Sequence, residues 1–243
     1  GVLRYSPIFG WHDVSFVDLV QSRLNVPVFI DNDVNTFTLT ERWFGKGRGV
    51  ENFLTVTVGR GIGMGIVVNG QLYQGVKGGA GEFGHTVINP EGPMCDCGKR
   101  GCLEVYVSDP ALVKSGQAAS ESGKIKGEVR SIADLQKLAE EGDPGSVGVY
   151  VSAGEMLGRG IANLINVFNP ELIIVGGEGV RAGDLIFEPM CDSIAKNVMP
   201  GLVDDTEIKI ELWNDDAWAR GAAGLVLREL FESPIHREVV ELL

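Results

Sequence analysis

Four metal-seeking side chains fall in one short stretch, GEFGHTVINPEGPMCDCGKRGCLE (residues 81–104), with the spacing His85-x9-Cys95-x-Cys97-x4-Cys102. Thiolate and imidazole are the ligands zinc prefers, and four of them close a tetrahedral shell with no position left for water. Such an ion is structural, contributing on the order of 10 kcal/mol to the ordering of a loop. Cys95 and Cys97 are one residue apart, too close for an unstrained disulfide. Gly98 and Gly101 allow tight folding around an ion. The alternatives are three unpaired thiols in a polar loop, or an iron–sulfur cluster, which commonly wants four cysteines. The fourth cysteine, Cys191, sits in a helical pattern and is expected in the core.

Glutamates stand at both ends of the stretch. Zinc takes one ring nitrogen of His85 and leaves the other as a fixed N–H donor. Glu82 precedes His85 by three residues and Glu104 follows the last ligand by two, so both are pinned near the metal loop. Two carboxylates and an N–H suit the vicinal hydroxyls of a sugar; the plainer alternative for either glutamate alone is a solvated surface residue.

Charge and length restrict the remaining possibilities. The 243 residues carry a net charge of −12, which repels phosphate backbones, and the chain shows no basic patch or recognition-helix pattern. No apolar run approaches the roughly 20 residues of a membrane span. There is no signal-peptide pattern, and clustered cysteines fit a reducing cytoplasm better than a disulfide framework. The opening, GVLRYSPIFGW, reads as mid-domain sequence, so a fragment of a longer protein is expected.

Pattern along the chain predicts an α/β fold with a mixed sheet. VPVFI (26–30) reads as a buried strand, and the following DNDVNTFTLTERWF as a helix capped by Asn32 or Asp33. NFLTVTV (52–58), GRGIGMG and IVVNGQLY read as strand, glycine turn and strand, with a second turn at Asn69-Gly70. Residues 115–128 read as a polar loop. Helices are expected over 131–143 and 146–168, the latter stopped by Asn169-Pro170. ELIIVGG is a strand, LIFEPMCDSIAKNV a helix, EIKIEL a strand and DAWARGAAGLVLRELF a helix. Trp11 and Trp43 read as packing residues.

GGAGEFGH (78–85) together with CDCGKRGCLE (95–104) resembles the signature of the ROK family of repressors, open reading frames and kinases. VPVFIDNDVN, VTVGRGIGMGIVVNG and LIIVGGEGV are similar to its Asn-Asp segment, its second phosphate loop and its adenosine-side glycines. The resemblance implies an actin-like ATPase (ribonuclease H-like) two-lobed fold with an incomplete N-terminal lobe. Residues 1–47 would be the remnant of that lobe, 234–243 would pack back on it, and 48–233 would form the C-terminal lobe with the zinc loop.

It further implies that Asn32, Asp33, Glu82, His85 and Glu104 contact a sugar, and that zinc is held by His85, Cys95, Cys97 and Cys102. Gly59, Arg60, Gly61 and Gly63 match the phosphate loop, and Gly176 and Gly177 the adenosine side. In the family's kinases the residue matching Asp33 is the general base. Two departures count against a kinase. No Asp-x-Gly-Gly-Thr hairpin occurs, and Arg60 stands where the kinases usually carry Thr.

The expectation is a cytoplasmic, sugar-binding effector domain of a ROK transcriptional regulator, homodimeric or of higher order. DNA would be reached only through a helix-turn-helix outside this chain. The alternative is a truncated ATP-dependent hexose kinase, with ATP and Mg required in that case alone.

Overall fold

The computed structural model describes residues 1–6, 9–212 and 217–231. Its centre is a mixed five-stranded sheet of β3 (Phe53–Val58), β4 (Ile62–Val68), β5 (Gln71–Leu72), β6 (Leu172–Gly176) and β7 (Glu207–Ile210). The spatial order is β5-β4-β3-β6-β7. β4 runs antiparallel to β3 and β5, while β3, β6 and β7 are parallel. This is the ribonuclease H-like order, and the expected mixed sheet is found. The turn at Asn69 and Gly70 has positive φ at both residues (51° and 69°), the geometry of a two-residue hairpin whose twist matches its strands.

β3 and β6 are central and almost wholly buried. Leu54, Val56, Ile173 and Val175 face the larger core, built with α6 (Pro144–Phe168) and α7 (Asp184–Asn197). Phe53, Val67, Leu172 and Ile174 face the other way and meet Phe37 of α2 (Asp33–Phe44). α2 packs on β3 and β4 and against α8 (Ala217–Phe231). α6 starts at Asp143, whose carboxylate accepts from Ser146 N at 2.8 Å, and ends at Asn169 in the left-handed conformation. α5 (Ile132–Glu140) opens on a capping box between Ser131 and Asp134, and buries Leu135.

Three expectations fail. Residues 26–30 follow α1 (Phe16–Leu24) but form no strand. Among the described residues β1 (Leu3–Ser6) and β2 (Trp11–Val14) pair only with each other, so 26–30 has no ladder to join. Pro27 also lacks a donor. Residues 115–121 are not loop but the second half of α4 (Asp109–Glu121), which follows the short α3 (Glu104–Val107). Ser108 caps α4, and Leu112 and Gly116 are buried, with Gly116 close against Leu135 and Val129. Packing outweighs the small polar composition. Cys191 is exposed: its neighbours Met190 and Ile194 take the inward face of α7 and turn it outward. The segment 234–243 lies outside the described residues.

Leu157 has no exposed surface at the centre of α6. Leu157→Ala is expected to cost about 2–5 kcal/mol, read as a lower urea midpoint at unchanged m-value.

Candidate functional site

The cleft is assembled at the carboxyl end of the central strands. At the N-terminus of α2, Asn32 Oδ1 and Asp33 Oδ1 both accept from Val34 N, at 2.9 and 2.8 Å. Asp31 braces this corner. Its carboxylate accepts from Asn32 N, from Asn35 Nδ2 and, across the cleft wall, from Gln74 Nε2 at 2.7 Å. Sequence reasoning missed Asp31. Its only signal was the run Asp-Asn-Asp, which also reads as a choice of helix caps.

β3 leads into the turn at residues 59–61, closed by Gly59 N donating to Gly61 O at 3.1 Å. The next donor, Ile62 N, is taken by Glu104 Oε2 at 3.1 Å. Glu104 is 25% exposed and stands at the start of α3. β6 ends in Gly177, with φ of +96°, where a methyl group would lie 2.4 Å from Val58 O. Only glycine allows β6 to turn so close to β3.

The four clustered side chains converge, as their spacing predicts. The ligand atoms of His85, Cys95, Cys97 and Cys102 all lie within 4.8 Å of one another. Cys97 Sγ is 3.5 Å from Cys102 Sγ, and Cys95 Sγ is 3.6 Å from His85 Nδ1. A tetrahedral shell with bonds of about 2.3 Å to sulfur places its ligand atoms at about this separation. The donor set and its geometry fit one zinc ion. The loop folds through a tight knuckle, with Cys95 N donating to Lys99 O and Gly98 N to Cys95 O. Lys99 Nζ donates to His85 O at 2.7 Å and fixes the histidine backbone. Burial raises the Cys95 thiol and pushes that of Cys102 up to about 12, whereas the Lys99 backbone N–H lowers Cys97.

His85 turns Nδ1 toward the thiols. Its Nε2 lies 4.0 Å from Glu82 Oε2, and Nδ1 lies 4.0 Å from Glu104 Oε1. Both gaps are too long for direct hydrogen bonds, and the one at Nε2, the nitrogen turned away from the thiols, leaves room for a bridging hydroxyl or water.

The cleft itself has a volume of about 340 Å³. It gathers Asn32, Asp33, Glu82 and Glu104 with the turn residues Gly59, Arg60, Gly61 and Gly63 and with Gly177. His85, within 4.0 Å of both glutamates, is not itself on the wall. Gly176 ends β6 and does not line the cleft. Thr57 and Glu178, which sequence reasoning missed, do line it. Neither Trp11 nor Trp43 reaches it. Among its charged groups four carboxylates, Asp33, Glu82, Glu104 and Glu178, face one cation, Arg60, an arrangement that receives hydroxyl donors.

Residues 2–229 match the family described as ROK. The chain belongs to the ROK family. It is 37% identical over 236 residues to the glucokinase of Thermotoga maritima, covering 93% of this chain and 74% of that protein. It is 32% identical over 228 residues to the xylose repressor of Bacillus spizizenii, covering 94% of this chain and 58% of the repressor. Among solved structures, a ROK family transcriptional regulator homologous to the E. coli MLC protein superposes with a TM-score of 0.83 at 31% identity. That match covers 96% of this chain and 62% of the regulator. The ROK chain thus has the actin-like ATPase fold. It spans less than two thirds of both regulators, and its relatives include kinases and repressors alike. No described helix is long and apolar enough to cross a membrane.

Elemental analysis of the ROK protein is expected to return about one zinc per chain. Cys97→Ser and Cys102→Ser should lose the ion and lower the melting temperature. Each thiol gives up a proton on ligation, so zinc affinity should fall as pH falls, checked by competition with a chelator across pH.

Proposed function

We propose that this chain is the sugar-binding effector part of a ROK transcriptional regulator. A neutral monosaccharide would occupy the cleft between Asn32–Asp33 and Glu82–Glu104, its vicinal hydroxyls donating to the carboxylates. A structural zinc held by His85, Cys95, Cys97 and Cys102 would fix the loop that presents them. Sugar binding would shift the spacing of two subunits in a homodimer, and thereby the grip of a helix-turn-helix outside this chain on DNA. Such a protein would work in the cytoplasm.

The observation that carries this reading is the Ile62 N–H. In the turn that resembles a phosphate loop, that donor is satisfied by Glu104. A turn whose donor already faces a carboxylate is a poor cradle for phosphate, and Arg60 replaces the hydroxyl residue usual in the kinases. The xylose repressor among the relatives supports the same reading.

A second reading, an ATP-dependent hexose kinase, is favoured by one placement. Asp33 lines the cleft, where it would accept the proton of an attacking hydroxyl. The glucokinase relative supports it.

Calorimetry of the full-length protein against glucose, xylose and other neutral monosaccharides should find a ligand. Glu104→Gln should weaken that ligand's binding about tenfold or more, because a charge-assisted acceptor is lost. The ligand should also change the affinity of full-length protein for its operator DNA. Sugar phosphorylation with MgATP that disappears in Asp33→Asn would establish the kinase reading instead.

A further inference from the structure

Glu178 is the cleft carboxylate without a role so far. It follows Gly177 at the end of β6, and its Oε2 lies over the phosphate-loop-like turn: a methyl group at Gly59 would sit 2.5 Å from it. The same side chain lines two adjoining spaces. One is the 340 Å³ cleft with Asp33 and Glu104. The other is an open trough of about 850 Å³ walled by Pro110, Val113, Ile132 and Arg181. Glu178 therefore stands at their junction, against the turn.

Several of the surrounding donors are engaged elsewhere. Arg181 is the cation closest in sequence, but its Nη2 pairs with Asp109 at 2.5 Å and its Nη1 donates to the Glu178 backbone carbonyl at 2.8 Å. Gly59 N donates to Gly61 O and Ile62 N to Glu104. An anion arriving at the turn would thus meet a carboxylate on each side, Glu178 at Gly59 and Glu104 at Ile62. Arg60 is exposed at the tip of the turn and opens onto both spaces. Glu178 is exposed as Arg60 is, but this one cation of the cleft lining stands against four carboxylates, Asp33, Glu82, Glu104 and Glu178.

We propose that Glu178 is a specificity-determining residue that keeps polyphosphate out of the 59–61 turn and reserves the cleft for uncharged polyhydroxy ligands. A nucleotide long enough to lie in the trough and reach the cleft would have to pass its phosphates over this carboxylate. The inference deepens the effector reading of the cleft and rests on it for the nature of the ligand admitted. The exclusion of polyphosphate is read separately from sugar binding.

The test titrates MgATP and inorganic tripolyphosphate into the full-length protein and into Glu178→Gln and Glu178→Gly, with zinc content and melting temperature confirming that each is folded. Wild type should show no saturable binding of either probe at millimolar concentration. Both variants should bind both probes at least about tenfold more tightly than wild type, and the gain should shrink as salt is raised. Wild-type protein that binds either probe as tightly as the variants overturns the proposal, as do folded variants that gain nothing. A protein that binds no monosaccharide, while its variants gain polyphosphate binding, removes the effector reading and leaves the role of Glu178 standing.

Discussion

The hydrogen bond from Ile62 N to Glu104 ties the end of the cysteine loop to the sheet, beside the packing of Phe83 and Leu103 on the core they share with Ile62. Ile62 begins β4 and belongs to the sheet. Glu104 ends the cysteine loop and begins α3. A carboxylate accepting from a backbone amide is a charge-assisted bond, stronger than a neutral one. It sets the distance between the zinc-ready loop and the glycine turn, and so the width of the cleft between them. It also decides what the turn can do, since a donor facing Glu104 is not free for an anion.

Most of the frame around this bond was legible in the sequence. The β3–β4–β5 meander followed from a β-branched run, a glycine turn and Asn69-Gly70. α6 followed from its apolar periodicity and the Asn169-Pro170 stop. These signals are local, and the tertiary structure agrees with them. The failures at 26–30 and 115–121 share another cause. A strand exists only with a partner, and VPVFI has none among the described residues. A small polar stretch becomes helix when a neighbour such as Leu135 leaves room only for Gly116.

The site divides in the same way. The convergence of His85, Cys95, Cys97 and Cys102 into a cluster that could hold a metal ion was readable because their close spacing makes it easy. Asp31 and Glu178 were not readable. Asp31 acts by bracing Asn32 and Gln74, which lie far apart in sequence, and Glu178 acts by lying over Gly59. The first exists only once the segment after β5 meets the start of α2, the second only once β3 and β6 lie side by side.

The sequence alone determined the family, the order of strands and helices through most of the chain, and the donors that a zinc ion would find. It could do so because periodicity, turn chemistry and ligand spacing are properties of neighbouring residues. Only the tertiary structure decided which donors of the glycine turn are already satisfied, and which carboxylates crowd it. Those are contacts between residues separated by forty positions or more, Ile62 with Glu104 and Gly59 with Glu178. The second rests on the parallel pairing of β3 with β6, which brings Gly59 and Glu178, just past the two strand ends, to one place; the first rests on the packing of the cysteine loop, through Phe83 and Leu103, on the core that β4 shares.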